Sequence, residues 1–154
     1  MDAIRKELIF QLRGGHAHAP LSKVVEDFPF DKQGITPHGM PYSGWQLLEH
    51  IRLALEDMVE FSASSKYKEK RFPEDYWPKS AEPPSKAAWS KSVKKIEAEI
   101  EKFVKLISNP KADLFEPFAW GDGQTLFKEA CQIVDHNAYH LGELVAVRRI
   151  LGVW

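Results

Sequence analysis

Residues 125–154, TLFKEACQIVDHNAYHLGELVAVRRILGVW, decide how this chain is read. Leu126, Ala130, Ile133, His140, Leu144 and Val147 recur there at spacings of three, four and seven, the period of a helix with one buried stripe. His136 borders that stripe. His136 and His140 stand four residues apart, so both imidazoles project from one side toward the interior. Such a pair can hold a metal ion if a third ligand arrives from elsewhere.

A partner helix is legible at residues 43–62, SGWQLLEHIRLALEDMVEFS. Ser43 followed three residues later by Gln46 is a capping box, in which side chains satisfy free N–H groups of the first turn. Leu47, Ile51, Ala54, Leu55, Met58 and Phe61 mark its inward stripe. Glu49, Arg52, Glu56 and Asp57 are expected to look outward, and His50 sits on the border of the stripe. On pattern alone, His50 is the best third ligand for the His136 and His140 pair.

Two more helices complete the expectation. Trp89, Val93, Ile96, Ile100, Phe103 and Ile107 share a face, with Ser85 expected as the cap, Asn109 and Pro110 as the stop, and lysines and glutamates sharing a solvated face. At the N-terminus Ile4, Leu8 and Leu12 recur every four residues, and Gly14 and Gly15 end that helix. A short helical piece over residues 21–28 follows Pro20. Residues 31–42 read as loop. Residues 66–85, with four prolines and the aromatics Tyr67, Phe72, Tyr76 and Trp77, form a connection too long for a simple turn, expected to pack over the core. The fold predicted is all-α, a four-helix bundle with long inter-helix connections, in one domain spanning residues 1–154.

Composition narrows the function classes. The chain has 154 residues, 44% of them hydrophobic and 28% charged, and a formal net charge of -1. That balance gives no general attraction to nucleic acid or to anionic lipid. Cys131, the one cysteine, excludes an internal disulfide and fits a reducing compartment. No signal peptide or membrane span is visible, so a cytoplasmic location is expected.

Three imidazoles would suit zinc or nickel first, with iron and manganese also compatible. An all-histidine set leaves the double positive charge of the ion uncompensated, which favours an anionic group in a fourth position and lowers the pKa of a bound water or thiol. The plainer alternative has His50 and His140 as core-edge histidines bonded to their neighbours and His136 as a polar helix residue.

The combination of His50 within WQLLEHIRLAL and the terminal DHNAYHLGELVAVRRILG resembles the DinB-like, or YfiT-like, family of helical metal proteins. The likeness runs through the whole chain in length and helix order. It implies a four-helix bundle with one metal on three histidines, which fall on His50, His136 and His140. It also implies a range of activities: S-transfer from bacillithiol, mycothiol or glutathione, isomerisation of a thiol conjugate, or hydrolysis. Homodimers are implied as well. The first expectation is thus a thiol S-transferase acting on a small-molecule substrate with a low-molecular-weight thiol as cosubstrate. A metal-dependent hydrolase using activated water, and a metal-binding or interaction protein without catalysis, stand as alternatives.

Asp135, His38, Tyr42 and Tyr139 are candidates for orienting the ligands or moving protons. Arg148 and Arg149 complement the negative end of the last helix and are candidates for an anionic substrate. His16, His18 and Cys131 read as surface or packing residues.

Overall fold

The structure, a computed structural model, describes residues 1–14 and 17–154. Four long helices, α1 (Asp2–Leu12), α4 (Gly44–Ala63), α5 (Ala88–Ser108) and α6 (Leu126–Ile150), are joined by long connections, the first of which carries the short α2 (Leu21–Val25) and α3 (Phe30–Gln33). No strand occurs among the described residues. This is the four-helix bundle that the apolar periodicities predict.

The helix α4 starts where its cap requires. The Ser43 hydroxyl accepts from Gln46 N–H at 3.2 Å while the Gln46 side chain accepts from Ser43 N–H at 3.1 Å, so both free donors are satisfied. From there α4 packs on α5 and α6, and α1 packs on the same two helices. Leu47, Leu48, Ile51 and Leu55 from α4 meet Ile96, Phe103 and Ile107 from α5 and Ile133, Leu144 and Val147 from α6 in the fully buried core.

The fourth side of the bundle is built from two pieces. Arg5 of α1 donates to the carbonyls of Ile107 and Ala112, and Arg13 pairs with Glu101 at 2.8 Å, so α1 runs antiparallel to the second half of α5. At about 1.5 Å per residue, its 11 residues extend only about 16 Å, against about 37 Å for the 25 of α6. Cover resumes with α2, which Trp89 Nε1–H holds through the Val25 carbonyl at 3.1 Å. Arg148 adds bonds to the carbonyls of Val24 at 2.6 Å and Glu26 at 2.7 Å.

Several local expectations are corrected. The piece expected over 21–28 stops at Val25, because Glu26 is extended and Asp27 takes a positive φ of 50° that brings Phe28 inward onto Trp89. The expected loop 31–42 begins with the last turn of α3. Ser85 does not cap α5, which starts at Ala88 without a side-chain cap; the Ser85 carbonyl accepts from Ala88 N–H and closes a turn instead. In α1 it is Arg5, not Ile4, that is buried, since its guanidinium satisfies carbonyls at and beyond the end of α5. Glu49 and Asp57 are buried rather than outward, each held by partners from another segment.

Candidate metal centre

His50 lies in the second turn of α4, and His136 and His140 lie one turn apart in α6, the two helices being packed together. His50 and His140 are buried and His136 is half-buried. One ring nitrogen from each comes within 4.8 Å of the others, forming a cluster able to coordinate a metal ion. The Nε2 atoms of His50 and His136 are 3.1 Å apart. Two nitrogen ligands of a tetrahedral ion, at bond lengths of about 2.0–2.1 Å, are separated by about 3.3 Å, so this contact matches an edge of such a site.

The outer nitrogens are committed elsewhere. His50 Nδ1–H donates to the Tyr76 carbonyl at 2.8 Å, and His140 Nδ1–H donates to Glu143 Oε2 at 2.7 Å. Each therefore keeps a lone pair on Nε2, the tautomer a metal ligand needs. His136 differs: its Nδ1 is buried with no partner, and the side chain of Asn137 lies beside it. With His50 Nδ1–H given to the Tyr76 carbonyl, His136 Nε2–H donates to His50 Nε2, and an ion bound to the three rings would take the place of that proton. The donor set fits a divalent ion.

Electrostatics keep these imidazoles neutral near pH 7. Burial pushes His136 down to about 4, with the neighbouring His140 and His50 adding to the shift. Burial and His50 together push His140 down to about 4. His50 is lowered by burial, opposed by its bond to the Tyr76 carbonyl and by the Glu143 charge. Glu143 is raised by burial, against the pull of His50. Its carboxylate would offset one of the two positive charges of an ion.

The long 64–87 connection forms one wall of the centre. The Trp77 indole stacks on His50 at 3.8 Å between ring centroids and stands edge-on to His140 at 6.1 Å; Tyr42 stacks on the far face of the same indole at 3.9 Å. Tyr76, whose carbonyl holds His50, is anchored at its other end by donating its hydroxyl to Asp57 at 2.5 Å. Tyr67 donates to the same carboxylate at 2.9 Å. Losing a proton beside that carboxylate is disfavoured. Burial and Asp57 raise Tyr67 to about 12 and Tyr76 further still.

The structure thus brings His50, His136 and His140 together and places Tyr42 one ring away from them. The other candidates fall elsewhere. Asp135, Tyr139 and His38 are exposed, although the Tyr139 ring lies 4.9 Å from that of His140. Arg148 is buried and spent on backbone carbonyls, which removes it as an anion binder; Arg149 is exposed. Cys131 and His18 are exposed, and His16 lies outside the described residues.

Sequence reading missed Glu143, Tyr76, Trp77 and Asp57. Glu143 was within reach, since a carboxylate three residues after a histidine on a helix faces it. The aromatic content of the 66–85 loop pointed to packing over the core, but nothing in its sequence placed Tyr76 and Trp77 against His50.

No family profile, no curated protein and no solved structure matches the chain. No helix among the described residues is long and apolar enough to cross a membrane.

Proposed function

We propose that this chain is a single-domain, metal-dependent enzyme of the DinB-like type, in which His50, His136 and His140 hold one divalent ion, zinc or nickel, for the transfer of a low-molecular-weight thiol to an electrophile. One observation carries the reading: two of the three imidazoles have their Nδ1–H groups fixed, on the Tyr76 carbonyl and on Glu143, so that their Nε2 lone pairs remain free for a common centre. A core-edge histidine needs a partner on one nitrogen; it does not need two other neutral imidazoles beside it. The helix order and the sequence around the three histidines support the DinB-like assignment.

A divalent ion held there supplies positive charge that lowers the pKa of a thiol or water bound to it and leaves that group nucleophilic at neutral pH. The protein's residues do the rest. The Tyr76 carbonyl and Glu143 orient two ligands and raise their basicity. Trp77 and Tyr42 exclude water from the His50 side of the centre. Three protein ligands leave a position for the reacting group. The chain is taken to act as a homodimer in the cytoplasm.

The test begins with metal content. Untagged protein purified without added metal is analysed by elemental methods beside a H50A/H136A/H140A variant whose helicity is checked by circular dichroism. Near one equivalent in the wild type, lost in a still-helical variant, is the expected result. Bacillithiol, mycothiol and glutathione are then offered with an electrophile panel, and metal-dependent thiol consumption is expected. Ester or amide cleavage without thiol consumption would move the assignment to a hydrolase. No metal in either protein would end the enzyme reading.

A further inference from the structure

Two of the three imidazoles have their outer nitrogens engaged, His50 on the Tyr76 carbonyl and His140 on Glu143. The third does not. His136 turns Nε2 toward His50, and its Nδ1 is buried without a hydrogen-bond partner. The Asn137 side chain is half-buried as a whole, yet its Oδ1 is in the same condition, buried and unpaired. Buried unpaired side-chain atoms are few among the described residues, Gln33 Oε1 being the other, so two of them on adjacent residues of α6 ask for a common cause.

Consecutive helix residues point about 100° apart, so their side chains ordinarily diverge. The Nδ1 atom is nevertheless bonded to Cγ and stays close to the backbone of its own helix while Nε2 reaches across to α4. Asn Oδ1, also bonded to Cγ, has the same short reach. Burial and the charges of His140 and His50 lower the His136 pKa, and the Asn137 side chain opposes them, the sense in which an acceptor oxygen acts on a ring N–H. With the ring proton on Nε2 and given to His50 at 3.1 Å, Nδ1 and Oδ1 are two acceptors with no proton to share. A proton on Nδ1 satisfies both at once.

We propose that Asn137 is the positioning residue of the third ligand: when an ion takes the Nε2 lone pair of His136, the ring proton resides on Nδ1 and is donated to Asn137 Oδ1. The inference rests on the reading of the triad as a metal centre. Each imidazole then has an acceptor of its own, in the Tyr76 carbonyl, Glu143 and Asn137, which fixes ring orientation and raises ligand basicity. The exchange balances: the ring gives its Nε2 proton to solvent, takes one from solvent at Nδ1 and stays neutral. A neutral amide does this beside buried rings without a second carboxylate to desolvate.

Chelator-stripped full chain is titrated with zinc in competition with a fluorescent chelator, and the wild type should take up one equivalent. Asn137→Leu keeps the branching and removes the acceptor; it should bind zinc about 10- to 100-fold more weakly, with helicity unchanged in circular dichroism. Asn137→Asp restores an acceptor at the same reach and should return affinity to within about threefold of wild type. A measurement on the unaltered protein reads the proton itself. In isotope-labelled chain, long-range proton–nitrogen correlation of the imidazoles should place the His136 proton on Nε2 before zinc is added and on Nδ1 afterwards. Stoichiometric zinc in the wild type, with equal affinity in Asn137→Leu or with the His136 proton still on Nε2, would overturn the role of Asn137 and leave the metal centre standing. Equal weakening in the Leu and Asp variants would overturn it too, because a packing role alone predicts that. No zinc in the wild type would end the metal reading and this inference with it.

Discussion

Glu143 stands one turn after His140 and takes the proton-bearing nitrogen of that ring, so its effect on a bound ion runs through orientation and charge together. Glu143→Ala removes both and should weaken metal affinity about 10- to 100-fold, measured by competition with a fluorescent chelator. Glu143→Gln keeps an acceptor and should fall between the two. Glu129, two turns before His136 on the same helix, is a different case. It is 4% exposed; burial raises its carboxyl above the ordinary 4.5, opposed by the charge of Lys128 and reinforced to a lesser degree by that of Asp57. The folded protein therefore holds that proton to a higher pH than the unfolded chain does. Its contribution to stability is complete below about 4.5 and is lost as pH rises through the folded value. Glu129→Gln should match the wild type in Tm near pH 4 and exceed it at pH 7, read by thermal unfolding at both.

Among the elements, the start of α4 does more than begin a helix. The Ser43 hydroxyl that accepts from Gln46 N–H also donates to the Ala81 carbonyl at 2.6 Å, which ties the 64–87 connection to the cap. Ser43→Ala should cost about 1 kcal/mol in chemical denaturation for the cap itself, and should speed amide exchange around Trp77. At the next residue, a Cβ on Gly44 would come within 2.5 Å of the Phe28 ring, so glycine is what lets the α2–α3 segment close against α4. The cap, the inward stripe of α4 and the histidine pair of α6 were legible because each is a local pattern with a fixed period. Buried Glu49 and Asp57 were not. Their burial depends on Ser92 of α5 and on Tyr67 and Tyr76 of the connection, and no spacing within α4 announces such partners. For the same reason the third ligand could be inferred from a helix face, whereas the loop carbonyl that orients it could not.

At the scale of the molecule, Arg148 closes one end of the bundle. Its guanidinium donates to the carbonyls of Val24, Glu26 and Val153, joining the end of α6 to the α2 segment and to the chain beyond Gly152. Arg148→Ala would leave these acceptors short of partners in a buried setting and should cost about 3 kcal/mol, seen as a lower denaturant midpoint with little change in metal content. The centre itself draws on residues 50, 76, 136, 140 and 143, so it exists only when α4, the 64–87 connection and α6 are together. One consequence of the flat stack of Trp77 on His50, with ring planes 5° apart, is optical. An indole in van der Waals contact with a ligand ring is within quenching distance of whatever that ring holds, so the protein's own ultraviolet emission reports the filling and emptying of its histidines.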